Sequence, residues 1–322
     1  MPTITLRPGK LNNRQDPIKL GKIEDWRNPV IDTLIVAQDV DFDNNGLTTV
    51  RAGRTRRLVA TSPHSFWVHP ADSALGFFVE GGVLKRLNVG WTATTIATLS
   101  TNLPLSYEVV NGEVVVSNGS DIGWLSATEF LPFAPSLGQF ELAMPAGQYL
   151  AFDHGDNALL VAAGSTVFRS KPYNIERREQ RLSAYPMNGY IRMLACVGDG
   201  WYVATDKHVS FVQRSGAEEL VFQHVTDAAP PDGGFSAGWE EDEKGVRRVV
   251  RWISQEGFCR GYAGGRYENL SYPDVATPTG TSGRVFHRVL NGIDQYVAVV
   301  RGPENRNAFT APTIALNSIT VS

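Results

Sequence analysis

Short apolar bursts alternate with polar, turn-forming residues along most of this chain, and six of them share one form. Each ends on valine or isoleucine and then runs into a turn. They are Phe77-Phe78-Val79, Val114-Val115-Val116, Leu159-Leu160-Val161, Trp201-Tyr202-Val203, Arg251-Trp252-Ile253 and Gln295-Tyr296-Val297. Counted between the last apolar residues, the steps are 37, 45, 42, 50 and 44 residues. A recurrence of roughly 40–50 residues built from short strands predicts a β-propeller with one blade per repeat.

The stretches between anchors carry the rest of each blade. Over 190–225 the pattern predicts four strands, Arg192–Val197, Trp201–Thr205, His208–Gln213 and Leu220–Val225. They are separated by Gly198-Asp199-Gly200, Asp206-Lys207 and Ser215-Gly216, because glycine and aspartate tolerate the backbone of tight turns. Leu105–Ser126 repeats the design around Asn111-Gly112 and Asn118-Gly119, and Ala151–Ser170 does so around Asp153–Asn157 and Ala163-Gly164. Helix signals are nearly absent; only Asn174–Arg181 predicts a turn or two. Residues 31–60 read as strands around a hairpin at Asn44-Asn45-Gly46. Residues 1–30 lack periodicity and predict an extended arm, with a short strand at Ile4–Leu6 and an anchoring Trp26. The expectation is therefore an all-β chain: an N-terminal arm over 1–30 and a propeller over 31–322. It has six blades, and its ring is closed by terminal strands such as Thr313–Leu316 and Ile319–Val321 pairing with N-terminal ones.

Composition narrows the function classes. Of 322 residues, 42% are apolar and 20% charged, enough for a sizeable core. A net charge of −3 argues against a globally basic nucleic-acid binder. Only Cys196 and Cys259 are present, both in strand-like apolar contexts, which predicts two buried thiols and no disulfide framework. Met1–Lys10 has no apolar leader core, and no window reaches the length of a membrane-spanning helix. These features predict a soluble chain that folds in the cell that makes it.

Candidate chemistry is sparse. His64, His69 and Asp72 are the nearest approach to a metal set, one ligand short of a site. No Gly-x-Ser-x-Gly elbow occurs, and the glycine-rich stretches 261–265 and 280–283 lack the Lys-Ser/Thr of a phosphate loop and read as connecting turns. Carboxylates are available at Asp121, Glu80, Asp206 and Glu256, of which Glu80, Asp206 and Glu256 sit where turns call for acids. The run Glu240–Glu243 reads as a solvated hairpin tip. Arginines gather at 51–57, at 177–181 and at 247–251, where solvated strand faces are the plain reading and phosphate or acidic partners the sharper one. The sequence thus names no catalytic, metal or cofactor residue, and it predicts a binding or structural protein that is not an enzyme.

Two stretches resemble tailed-bacteriophage virion proteins of the tail-tip and tail-nozzle class. One is Val40–Arg54, a strand pair followed by Ser62–Trp67. The other is Gly164-Ser165-Thr166-Val167-Phe168-Arg169-Ser170-Lys171-Pro172, with the strand–turn–strand Ile191–Lys207 after it; Trp252–Cys259 fits a later blade. The resemblance implies a virion component made in the host bacterial cytoplasm. It would form a ring with copies of itself, a hexamer on the tail axis. That ring would meet the portal–adaptor complex and tail fibre, spike or needle proteins, and phage DNA would pass without sequence recognition. A glycan-binding or glycan-cleaving propeller is the alternative, although Trp67, Trp91, Trp124, Trp201, Trp239 and Trp252 do not occupy equivalent repeat positions. The Trp-Asp and Gly-His marks of a WD40 scaffold are missing.

Overall fold

A computed structural model describes the strand backbones at 8–11, 32–34, 40–42 and 48–50, and residues 58–215, 219–242, 245–271, 280–290 and 293–301. Side chains are described over 58–213, 220–240, 245–271, 280–286 and 297–301. Near the N-terminus β1 (Pro8–Leu11) pairs parallel with β2 (Asp32–Leu34), and β3 (Val40–Phe42) pairs antiparallel with β4 (Thr48–Val50).

Five antiparallel sheets of four strands follow. Blade I is β5 (His64–His69), β6 (Asp72–Glu80), β7 (Val83–Leu87) and β8 (Ala93–Thr98). Blade II is β9 (Ser106–Val110), β10 (Glu113–Ser117), β11 (Ile122–Leu125) and β12 (Phe130–Pro132). An outer pair, β13 (Glu141–Ala143) with β17 (Arg177–Glu179), flanks blade III, which is β14 (Tyr149–Asp153), β15 (Ala158–Ala163), β16 (Thr166–Arg169) and β18 (Ala184–Pro186). Blade IV is β19 (Ile191–Val197), β20 (Gly200–Thr205), β21 (Val209–Ser215) and β22 (Glu219–Thr226). Blade V is β23 (Phe235–Asp242), β24 (Gly245–Ser254), β25 (Gly257–Gly261) and β26 (Tyr267–Asn269). A hairpin of β27 (Ser282–Leu290) and β28 (Ile293–Arg301) packs on blade V through β27. The chain is an all-β propeller; the described helix is a single 3-10 turn, Ala263–Gly265.

All six anchors fall on the second strand of their sheet: Val79 on β6, Val116 on β10, Val161 on β15, Val203 on β20, Ile253 on β24 and Val297 on β28. Second strands are apolar on consecutive residues, not alternate ones, because a blade is covered on both faces by its neighbours. Leu159 and Val161 join Val115 and Phe152 in the seam between blades II and III, while Leu160 packs with Trp201 and Val203 in the seam between III and IV. Likewise Phe77 and Val79 meet Val114 and Val116, and Tyr202 meets Val250 and Trp252. The hairpin turns follow their chemistry. Asn111 and Gly112 both have positive φ (52° and 89°), the geometry that matches the twist of paired strands.

Three expectations change. Among the described residues there are five four-stranded blades plus a two-stranded hairpin, and the sixth anchor lies in that hairpin. Asn174–Arg181 is no helix: its residues 177–179 form β17, held by β13. The glycine stretch 261–265 lies within blade V rather than between blades. Most of the 1–30 arm, the strand at Ile4–Leu6, Trp26, the 30/31 boundary and the C-terminal strands lie outside the described residues.

Candidate functional site

The inner strands β9, β14, β19 and β23 pack side by side around the propeller axis. A side chain of blade V crosses to the inner strands of blades II and III. Arg248 on β24 reaches over to blade II, where its Nη2 donates to Glu108 Oε1 at 2.8 Å, and its Nη1 donates to Phe152 O at 3.3 Å. Both side chains are nearly buried; burial works against the Arg248 charge, but the Glu108 carboxylate outweighs it and raises the Arg248 pKa, while burial raises that of Glu108. Beside them, burial and Arg248 lower the His154 pKa, and the His154 ring lies 6.0 Å from Trp239.

At the end of the axis where inner strands begin, residues from successive blades surround a cavity of about 270 Å³. Leu103, Leu105 and Phe235 form its apolar wall, and Tyr149, Tyr190, Asp232 and Arg284 bring polar groups to it. The Tyr149 hydroxyl donates a short hydrogen bond to Asp232 Oδ1, and its ring meets Phe235 edge-on at 5.3 Å. Burial first, then the Asp232 charge, raises the pKa of both Tyr149 and Tyr190. Asp232 is fixed by its backbone: its N–H donates to Thr281 O at 3.3 Å and its carbonyl accepts from Gly283 N at 2.9 Å. Gly233 has φ +69°, and a Cβ there would lie 1.7 Å from Arg284 Nη1, so a side chain would displace the guanidinium. Arg284 itself donates to Gly283 O at 2.8 Å.

A second feature lies outside the blades. Lys171 Nζ (2.7 Å) and Arg177 Nη1 (3.2 Å) hold Glu141, tying β13 to the loop after β16. The Lys171 ammonium and the Gly138 N–H together lower the Glu141 pKa to about 2. Gln139, Phe140, Glu141, Lys171, Glu179 and Arg181 line a groove there of about 710 Å³. Phe140, Tyr173 and Leu182 on this outer structure are 70%, 81% and 63% exposed, with φ of 67°, 62° and 57°. Bulky side chains rarely occupy the left-handed region, so three together on one exposed feature are held there by their surroundings.

The residues singled out by sequence are dispersed. His64 bonds Asn102 and Ser65, His69 accepts from Ala71 N, and Asp72 accepts from Ala74 N. Among the described residues no three His, Cys, Asp or Glu side chains converge as a metal site. Asp121 holds Ser100 and Asn118, and Glu80 holds Lys85 and Thr61. Glu240 is not a solvated tip residue: it pairs with Arg251 at 3.0 Å and Arg260 at 2.5 Å. Arg248 and Arg251 are likewise buried partners rather than a solvated face, whereas the 51–57 arginines lie outside the described residues. Cys196 and Cys259 are buried free thiols, the first pushed well up in pKa by burial and the second to about 11, again chiefly by burial. Sequence reading missed Asp232. Its signal was Pro230-Pro231-Asp232-Gly233-Gly234, a turn sequence indistinguishable from the chain's other turns.

No protein-family profile matches the chain, and no curated protein matches it. Solved structures share the propeller fold. A putative gluconolactonase is 15% identical at TM-score 0.48, covering 77% of this chain and 93% of that one. A gluconolactonase from Xanthomonas campestris is 13% identical at 0.45, covering 70% and 78%. The virginiamycin B lyase of Staphylococcus aureus is 11% identical at 0.42, covering 71% and 75%. The expectation of a chain that is not an enzyme rested on the lack of a recognisable catalytic set, and it is corrected by these neighbours, which include enzymes of the propeller fold. Likeness at this distance concerns the fold and gives this chain no activity.

Proposed function

We propose that the chain is a structural component of a bacteriophage tail, a propeller that assembles with copies of itself into a ring at the nozzle or hub. One observation carries this reading. The motif resembling tail proteins, Gly164–Pro172, runs along β16 and ends on Ser170 and Lys171, the residues that turn the chain out of blade III into the outer sheet. Ser170 Oγ accepts from Leu159 N at 2.8 Å, and Lys171 N donates to Arg177 O at 2.8 Å. A propeller blade is complete without such a sheet, so its strained, exposed apolar residues are suited to contact a neighbour.

The ring closure belongs to the same proposal. β27 and β28 supply two strands of a sixth blade, β28 has no second partner strand among the described residues, and β3–β4 is a hairpin with the two strands that blade lacks. The portal–adaptor complex and the fibres or spikes are the neighbours this role implies. The test is mass spectrometry of purified virions from a lysate in which the chain is tagged. Recovery at several copies per particle supports the reading; absence from the particles overturns it.

A further inference from the structure

The cavity at the start of the inner strands gathers a carboxylate, a guanidinium, two phenols and an apolar wall in one place. Asp232, half-buried, and Arg284, exposed at the mouth, both line it, and no ion pair joins the two charges. Tyr149 takes one carboxylate oxygen of Asp232 and leaves the other as an acceptor. The guanidinium of Arg284 lies against Gly233, where the missing side chain makes room for it, and spends one nitrogen on Gly283 O. Tyr190, half-exposed at the rim, has no hydroxyl partner among the described residues. Leu103, Leu105 and Phe235 form an apolar wall opposite these groups.

A ligand satisfying all of them must present an anionic group to the guanidinium, hydroxyls to the carboxylate and phenol, and a flat C–H face to the wall. We propose that this cavity binds a hexuronic acid residue, with its carboxylate on Arg284, ring hydroxyls on Asp232 and Tyr190, and its apolar face on Phe235. A guanidinium takes a carboxylate in a forked, two-point bond, and an ionised Asp is acceptor-only and so selects hydroxyl donors. The volume of about 270 Å³ suits one sugar ring and no long oligosaccharide. Asp232 is the one carboxylate among the described residues lining the cavity, and glycine, which carries an ammonium and a carboxylate, is the control that separates an amino acid from a sugar acid.

The test is titration of the full chain with galacturonate, read by calorimetry and by the shift in melting temperature, with galactose and glycine as controls. Binding in about the millimolar range or tighter is expected for galacturonate, with galactose at least about tenfold weaker because it offers nothing to Arg284. Arg284→Gln should abolish that preference while Arg284→Lys keeps part of it, both at unchanged melting temperature without ligand. No binding of galacturonate, equal binding of galactose, tighter binding of glycine, or an unaltered preference in Arg284→Gln would each overturn the assignment.

Discussion

Tyr202 combines packing and hydrogen bonding in the seam between blades IV and V. Its ring is fully buried between Phe211 and Trp252, and its hydroxyl donates toward Tyr262 O (2.8 Å) and Arg266 O (2.9 Å) while accepting from Tyr262 N (3.2 Å). Replacing it by Phe keeps the packing and takes the donor from Tyr262 O, while Tyr262 N and Arg266 O keep their bond to each other at 2.8 Å. Tyr202→Phe should therefore lower stability by about 1–3 kcal/mol, seen as a lower denaturant midpoint at unchanged slope. Arg251→Ala should be harsher: it is 2% exposed, and removing it strips Glu240 of one of its two cations, a loss of about 3–5 kcal/mol for a broken buried pair. Glu141 adds a pH term. Its folded pKa is depressed to about 2 from 4.5, so its stabilising contribution is present above 4.5 and is lost as pH falls through about 2. Melting curves between those values should show an acid-side loss that Glu141→Gln reduces; identical pH profiles would contradict the Lys171 contact.

At the scale of elements, the outer sheet and the terminal hairpin hold the account's tension. Phe140→Gly should raise the stability of the isolated chain by about 1 kcal/mol, because a left-handed backbone is strained for Phe and free for Gly. The same change should reduce incorporation into virions, and this opposition of signs is what a functional strain predicts. Removing residues 1–57 should leave β28 with a bare edge and cause concentration-dependent aggregation, followed by light scattering. A truncated chain that stays dispersed would contradict ring closure by the N-terminal strands. The blades were legible because a doubly covered strand leaves a run such as Leu159–Val161 that nothing polar interrupts. Blade IV was read to within a few residues of its strands for the same reason, with glycine and aspartate marking its turns. The outer sheet was not legible: Arg177–Glu179 is a charged triplet that no propensity marks as a strand, and it becomes one only by pairing with Glu141–Ala143, over thirty residues earlier. The cavity was hidden similarly, since Tyr149, Asp232 and Arg284 are brought together only by the blade stacking.

At the scale of the whole molecule, the seams and the Glu108–Arg248 pair tie the blades to one another, and the proposed ring would make its contacts through the outer sheet and the β27–β28 hairpin. No helix among the described residues is long and apolar enough to cross a membrane, so a membrane-spanning helix plays no part in this account. The central claim is that the propeller is one subunit of a tail ring. An electron cryo-microscopy reconstruction of the virion tail tests it most directly. The account predicts propeller-shaped density repeated around the tail axis, with the β13–β17 sheet at a subunit boundary and the DNA path outside each propeller. A tail map with no such density, or the propeller located on the capsid, would contradict it.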